Sequence, residues 1–219
     1  IEAANNNTKT NGHRYYIFVP DGEYKLTGNG TISWTGDNAP VDEAGKPRKE
    51  MNGQNNGQTH IRKSNISIIG QSKDNTIIRN HPTVEGISYT ATLCVEKNNT
   101  DFYAEDLTLE NEFNYWGSMA GQSSGTGAGR ADVFFDRGNR SILKNVALKS
   151  WQDTYYSNNT SSDFRGYFEN CDFYGAVDFI CGNGNIWFEK CNLILRDRKS
   201  NNIVAPSTEV DQEWGYVFN

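Results

Sequence analysis

The sequence contains no long apolar run. None of its hydrophobic stretches approaches the roughly eighteen residues of a membrane-spanning helix, so no membrane partner is expected within these 219 residues. A basic surplus is also missing. There are 21 Lys and Arg against 27 Asp and Glu, a formal net charge of −6. That argues against a nucleic-acid partner, whose phosphates need a basic surface, and against a broad grip on a highly charged polyanion. A neutral or partly neutralised acidic polymer stays open. Histidine is scarce, and His13, His60 and His81 all lie upstream of the chemistry-bearing residues below. A Ser-His-Asp triad or a His-based metal site is therefore not expected. The four cysteines form no CxxC pair, which weakens zinc and thioredoxin-type readings. No initiator Met or signal peptide opens the chain, so export cannot be read from a leader. Ile1-Glu2-Ala3-Ala4 resembles the end of an amphipathic helix, and Trp214-Gly215-Tyr216-Val217-Phe218-Asn219 a strand cut in its middle. Both ends lead to the expectation of a fragment or trimmed chain.

What is present is soluble and globular in composition, with 36% hydrophobic and 22% charged residues. Tyr15-Tyr16-Ile17-Phe18-Val19-Pro20 reads as a short buried strand stopped by Pro20 and the turn pair Asp21-Gly22. Residues 36–60, rich in Gly, Asn, Lys and Glu, read as a long exposed loop insertion in a single domain spanning 1–219. A pattern then sets in. Asn65, Asp106, Asn145, Asp172 and Asn192 each lead into a short alternating strand, at intervals of 41, 39, 27 and 20 residues. These are one or two units of a period in the twenties, with insertions. A β-sandwich also shows many short strands, but the recurring Asn or Asp at the corner favours an all-β solenoid of stacked coils. Cys171 and Cys191 fall in the same phase of this repeat, one coil apart. A disulfide there, implying an oxidising compartment, and two stacked free thiols are equally open.

Two aspartates carry the chemical interest. Asp153, in Trp151-Gln152-Asp153-Thr154-Tyr155-Tyr156, and Asp178, in Val177-Asp178-Phe179-Ile180-Cys181-Gly182, lie 25 residues apart, close to one coil. Neighbouring carboxyls in different environments split their pKa values, leaving one an acid and one a base or nucleophile. Gln152 adds an amide donor suited to an oxyanion. If Gln152 and Asp153 both serve one site, the backbone must bend there, because adjacent strand residues face opposite ways. Aspartates that only cap turns are the structural alternative. Phe113, Tyr115, Trp116, Trp151, Tyr155, Tyr156 and Trp187 are candidate aromatic surface for sugar rings. Trp187, between Ile186 and Phe188, reads as core.

These motifs resemble a known family. Gln152-Asp153-Thr154-Tyr155-Tyr156 is similar to the QDTLY motif of pectin methylesterases, and Val177 to Gly182 to their VDFIFG motif. Asp106-Leu107-Thr108-Leu109-Glu110-Asn111 resembles their DLTIEN stretch, and Tyr16 to Tyr24 their opening strand and G-x-Y turn. The resemblance implies a right-handed parallel β-helix that is secreted or periplasmic, monomeric, and acts on the methyl esters of pectin without metal or cofactor. It implies Asp178 as nucleophile, Asp153 as general acid and then base, and Gln152 as an oxyanion donor. Tyr156 would border the substrate cleft, with Tyr155, Phe179 and Trp116 also binding substrate. A Cys171–Cys191 bridge is similar to one in some bacterial members.

The departures are specific. The second oxyanion glutamine of the family aligns with Arg130, in Gly129-Arg130-Ala131-Asp132-Val133, which retains donors and adds charge; Gln122 is a less well placed substitute. Cys181 stands where the family has Phe. A turn extension is expected at Asn158–Asp163. The family's LGRPW arginine, which serves the nucleophile, has no counterpart, so the 219 residues alone are expected to be weakly active or inactive. The alternative readings are a pectin-binding solenoid without catalysis and, behind it, a polysaccharide lyase or hydrolase. No calcium-type carboxylate cluster supports the lyase.

Overall fold

The computed structural model describes residues 1–6, 12–26, 58–82, 85–88, 90–116, 129–198 and 200–219. After one helical turn, Glu2–Asn5, the described residues form parallel strands that stack coil upon coil into a parallel β-helix with three faces. The solenoid expected from the corner pattern is the fold observed. No helix among the described residues is long and apolar enough to cross a membrane.

The first face stacks Tyr15–Val19, Ile66–Gly70, the first half of Tyr103–Asn111, the first half of Ser141–Lys149, Arg165–Glu169, Asn185–Glu189 and Tyr216–Phe218. The second stacks Gly22–Leu26, Thr76–Asn80, the second halves of those two long strands, Asp172–Gly175 and Asn192–Leu195. The third stacks Thr59–Ile61, Leu93–Val95, Phe134–Asp136, Tyr155–Ser157, Ile180–Gly182 and Val204–Pro206. Thr59 and His60 thus belong to a strand, and the loop read over 36–60 stops short of them. Of its remaining residues, 36–57 lie outside the described residues, as does Gln122.

The corner between the first and second faces is made by single residues with left-handed φ, Asp106 at 54°, Asn145 at 50°, Asn170 at 53° and Lys190 at 51°, while Asn65 at 62°, in register with Asp101 and Arg140, bends the chain from the third face into the first. This conformation costs an L-residue about 1–2 kcal/mol, least for Asn and Asp, whose short side chains bond locally. That preference explains the polar pattern in the sequence. The expected corners Asp172 and Asn192 lie two residues past the actual bend, on the second face. They still stack, with the Asn192 amide donating to Asp172 at 2.7 Å, as Asn145 does to Asp106 at 2.6 Å.

Inside, aromatics repeat in register. Phe134 stacks on Tyr155 (5.7 Å between centroids) and Phe168 on Phe188 (5.2 Å, 7°). Each such pair adds about 0.5–1.5 kcal/mol beyond the apolar area it buries. Cys171 and Cys191 stack in adjacent coils as expected, the Asn192 N–H donating to the Cys171 carbonyl at 2.9 Å, and both are free thiols. The first strand differs from its reading as buried: Tyr16 is 70% and Phe18 64% exposed, because only Tyr15, Ile17 and Val19 turn inward.

Candidate active site

The third face fixes which side chains meet. Its interior row holds Leu93, Phe134, Tyr155 and Ile180, and its outward row Cys94, Phe135, Tyr156 and Cys181. One short turn earlier in each coil, isolated parallel bridges pair Arg130 with Gln152 and Gln152 with Val177. Because Tyr155 pairs with Ile180, Asp153 and Asp178 occupy the same position of consecutive coils, and the Asp153 N–H donates to the Val177 carbonyl at 3.1 Å. Asp153 has φ 57° and Asp178 φ 45°. The bend demanded if Gln152 and Asp153 are to share a surface is therefore a left-handed residue, here Asp153 itself.

Burial separates the two carboxyls. Asp153 is 5% exposed, whereas Asp178 is half-buried. Burial, then the neighbouring Asp178 carboxyl, push Asp153 up to about 7, against opposing pulls from Arg130 and a hydrogen bond with Cys181. Cys181 therefore meets Asp153, where the family motif has an aromatic ring. Up to about neutrality Asp153 keeps its proton, beside the more exposed Asp178.

Gln152 is held by its carbonyl end. Gly129 N–H donates to Gln152 Oε1 at 2.9 Å, leaving the amide NH₂ as the donor end. Thr154 and Ser150, on either side, bond across coils to Tyr174 O at 2.8 Å and Ala131 O at 2.6 Å. Arg130 is gripped by Glu85: its Nε lies 2.9 Å from Oε2 and one terminal nitrogen 3.2 Å from Oε1. Asp132, two residues beyond Arg130 and in register with Asp153 one coil below it, is fully buried, and its Oδ2 accepts from Ser88 N–H at 2.6 Å. Its other oxygen has no hydrogen-bond partner among the described residues, and burial pushes its carboxyl well up.

Aromatic walls flank this group. Tyr156 stacks on Phe135 at 5.0 Å and 4°, its hydroxyl held by Asn158 at 2.7 Å. On the other side Tyr115 stacks on Trp151 (5.3 Å, 7°), and Trp116, 50% exposed, packs edge-on against both. The Arg196 guanidinium lies 5.0 Å from the Trp151 ring centre.

Three expectations are corrected. Tyr155 and Phe179 have no exposed surface; both point into the solenoid and cannot touch a polymer in the cleft. Trp187 faces outward against Trp214 at 6.2 Å, while Ile186 and Phe188 on either side of it are buried. Sequence reasoning missed Glu85, which no motif marks, Arg196, and Asp132, which lies in the run read only for Arg130. Among the described residues, His60, Cys94 and Glu96 converge closely enough to hold a metal ion. They lie toward the other end of the same face, and His60 Nδ1 is already bonded to Glu96 at 2.6 Å.

The sequence model of the Pectinesterase family matches residues 50–218. Pectinesterase A of Dickeya dadantii is 29% identical over 188 residues, covering 76% of this chain and 50% of that protein. The pectin methylesterase from Yersinia enterocolitica superposes with a TM-score of 0.72 at 24% identity, over 100% of this chain and 63% of that one. A pectin methylesterase solved in complex with a hexasaccharide superposes at 0.70 and 22% identity, over 100% and 59%. The chain spans about half the length of the bacterial relative it matches.

Proposed function

The chain belongs to the pectinesterase family, and on that premise we propose that it hydrolyses the C6 methyl esters of galacturonate in pectin, releasing methanol. The observation that carries this reading is the stacking of Asp153 and Asp178 in consecutive coils, with Asp153 holding a proton to about pH 7. Asp178, the more solvated of the two, attacks the ester carbonyl as a carboxylate. The tetrahedral oxyanion takes hydrogen bonds from the Gln152 amide and from Arg130. As the C–O bond to the methoxy group breaks, Asp153 gives its proton to the leaving oxygen, so methanol departs neutral. An anhydride joining Asp178 to the galacturonate acyl carbon remains. Asp153, now a carboxylate, takes a proton from water; the hydroxide adds to that carbon and expels Asp178.

Tyr156 and Trp116 serve as platforms for sugar rings, the role left to them once Tyr155 and Phe179 are assigned to the core. The substrate is a sugar polymer, a reading supported by the hexasaccharide complex of a structural neighbour, and the placement of Asp153, Asp178 and Tyr156 favours its lying along the third face. The protein works on extracellular polymer as a monomer.

Methanol release from methyl-esterified pectin tests the proposal, with Asp178→Asn as control. Loss of release in the variant with the fold intact supports it. Binding without methanol from the full-length protein would mark a pectin-binding solenoid. Shortened chains, with or without an unsaturated product absorbing in the ultraviolet, would mark a lyase or hydrolase.

A further inference from the structure

Arg130 stands in the coil below Gln152, at a place where an unopposed guanidinium would draw the proton off Asp153. It is not unopposed. Glu85 meets it through two contacts, Nε to Oε2 at 2.9 Å and a terminal nitrogen to Oε1 at 3.2 Å, and both side chains are about three-quarters shielded from solvent. The backbone fixes this approach. Gly86 N–H donates to the Arg130 carbonyl at 2.8 Å and Gly86 bridges to Ala131, so Glu85 is delivered to Arg130 by the neighbouring coil. Such a two-point pair holds the planar guanidinium in one orientation.

We propose that Glu85 is a positioning residue of the site: by clamping and neutralising Arg130, it keeps an arginine in the oxyanion region while Asp153 retains the proton needed for the leaving group. This rests on the esterase reading. An arginine in place of a neutral amide brings more hydrogen-bond donors but also a charge, and the general acid beside it cannot tolerate that charge alone. The groups that act on Asp153 are Asp178 from the coil above, Arg130 and Glu85 from the coils below, and the Cys181 thiol from the adjoining strand. Asp132 and Tyr156 also feel its charge. Of these, Arg130 is the cation. Its field depresses Asp153 and that of Glu85 raises it, so the pair together leaves Asp153 near where burial and Asp178 put it.

The test follows the Asp153 carboxyl directly by ¹³C NMR titration, alongside the pH profile of methanol release. In Glu85→Gln the Asp153 titration is expected to move down by on the order of one pH unit, and the alkaline limb of activity with it. Glu85→Asp, which keeps the charge, should restore most of the shift. In Glu85→Gln/Arg130→Gln the titration should return toward the wild-type position, because both charges are gone. An unshifted Asp153 in folded Glu85→Gln, or an equal shift in the double variant, would overturn the proposal. If the full-length protein releases no methanol while the NMR shifts occur as expected, the clamp stands and the esterase reading falls.

Discussion

Asp178 sits one coil above Asp153 at the matching position, and both hold a left-handed backbone, φ 45° and 57°. Parallel coils repeat about 4.8 Å apart, so two carboxyls in register are forced into each other's field. Identical backbone placement does not give identical environments. Asp153 is nearly enclosed, and Asp178 keeps contact with water. The solenoid thus converts a repeat in sequence into a pair of acids in different environments.

The first prediction concerns that division. If Asp153 must be protonated to release methanol, the rate should fall about tenfold per pH unit above pH 7, where Asp153 loses its proton. The Cys181 contact lowers Asp153, so Cys181→Ala should move that limb to higher pH, by on the order of half a unit. Initial rates of methanol release across pH 4–9 measure both. A limb that stays put in Cys181→Ala would separate the thiol from the acid.

A second prediction lies away from the chemistry, at Asp136. It is fully buried, accepting from Gly138 N–H at 3.1 Å and Ser141 Oγ at 2.9 Å, with its other oxygen unpartnered. Burial raises it to about 7 against those two bonds. An unfolded Asp titrates near 4, so the folded state binds the extra proton between those values. The stability Asp136 confers is full below pH 4, erodes as pH rises toward 7, and is lost above it, by up to about 4 kcal/mol. Thermal melts at pH 4.5 and 7.5 should converge in Asp136→Asn relative to the wild type. An unchanged pH dependence would show that Asp136 ionises freely in the folded protein.

The sequence made the architecture legible because Asn and Asp are the residues that tolerate a left-handed corner, and their recurrence betrayed the coil. The phase was less legible. In the last two coils Asn170 and Lys190 make the bend, and a lysine there carries no corner signal. Alternation in Trp151 to Tyr156 shows that Tyr155 and Tyr156 face opposite ways, but not which one faces inward. That depends on the bend at Asp153, which resets the register after Gln152. Glu85 was invisible because its role comes from a contact 45 residues away along the chain.

A third prediction follows from the glycine closing the second aspartate motif. Gly182 has φ +102°, and a Cβ there would lie 1.9 Å from the Ser157 carbonyl oxygen. Gly182→Ala therefore meets backbone that cannot give way, beyond the roughly 1 kcal/mol or more of an unfavourable φ. Gly12, at φ +68°, has nothing within 4 Å among the described residues, so Gly12→Ala isolates the backbone cost. Denaturant titration should show Gly182→Ala destabilised by at least about 3 kcal/mol and Gly12→Ala by about 1. Equal losses would refute the steric account.

The last prediction separates two adjacent tyrosines. The Tyr155 hydroxyl is buried with no hydrogen-bond partner among the described residues, while its ring packs against Phe134 and Phe168 at 5.7 and 4.8 Å. Removing an unpartnered buried hydroxyl spares a desolvation cost of about 1 kcal/mol, so Tyr155→Phe should melt at the wild-type temperature or a few degrees above it, with methanol release unchanged. Tyr156 presents its ring outward on Phe135. Tyr156→Ala should raise KM for pectin severalfold with little effect on stability, because a stacking surface for sugar is lost while the interior is untouched. Melting curves and steady-state kinetics on the two variants decide the matter. A KM defect in Tyr155→Phe, or a collapse of stability in Tyr156→Ala, would reverse the assignment of which tyrosine faces the polymer.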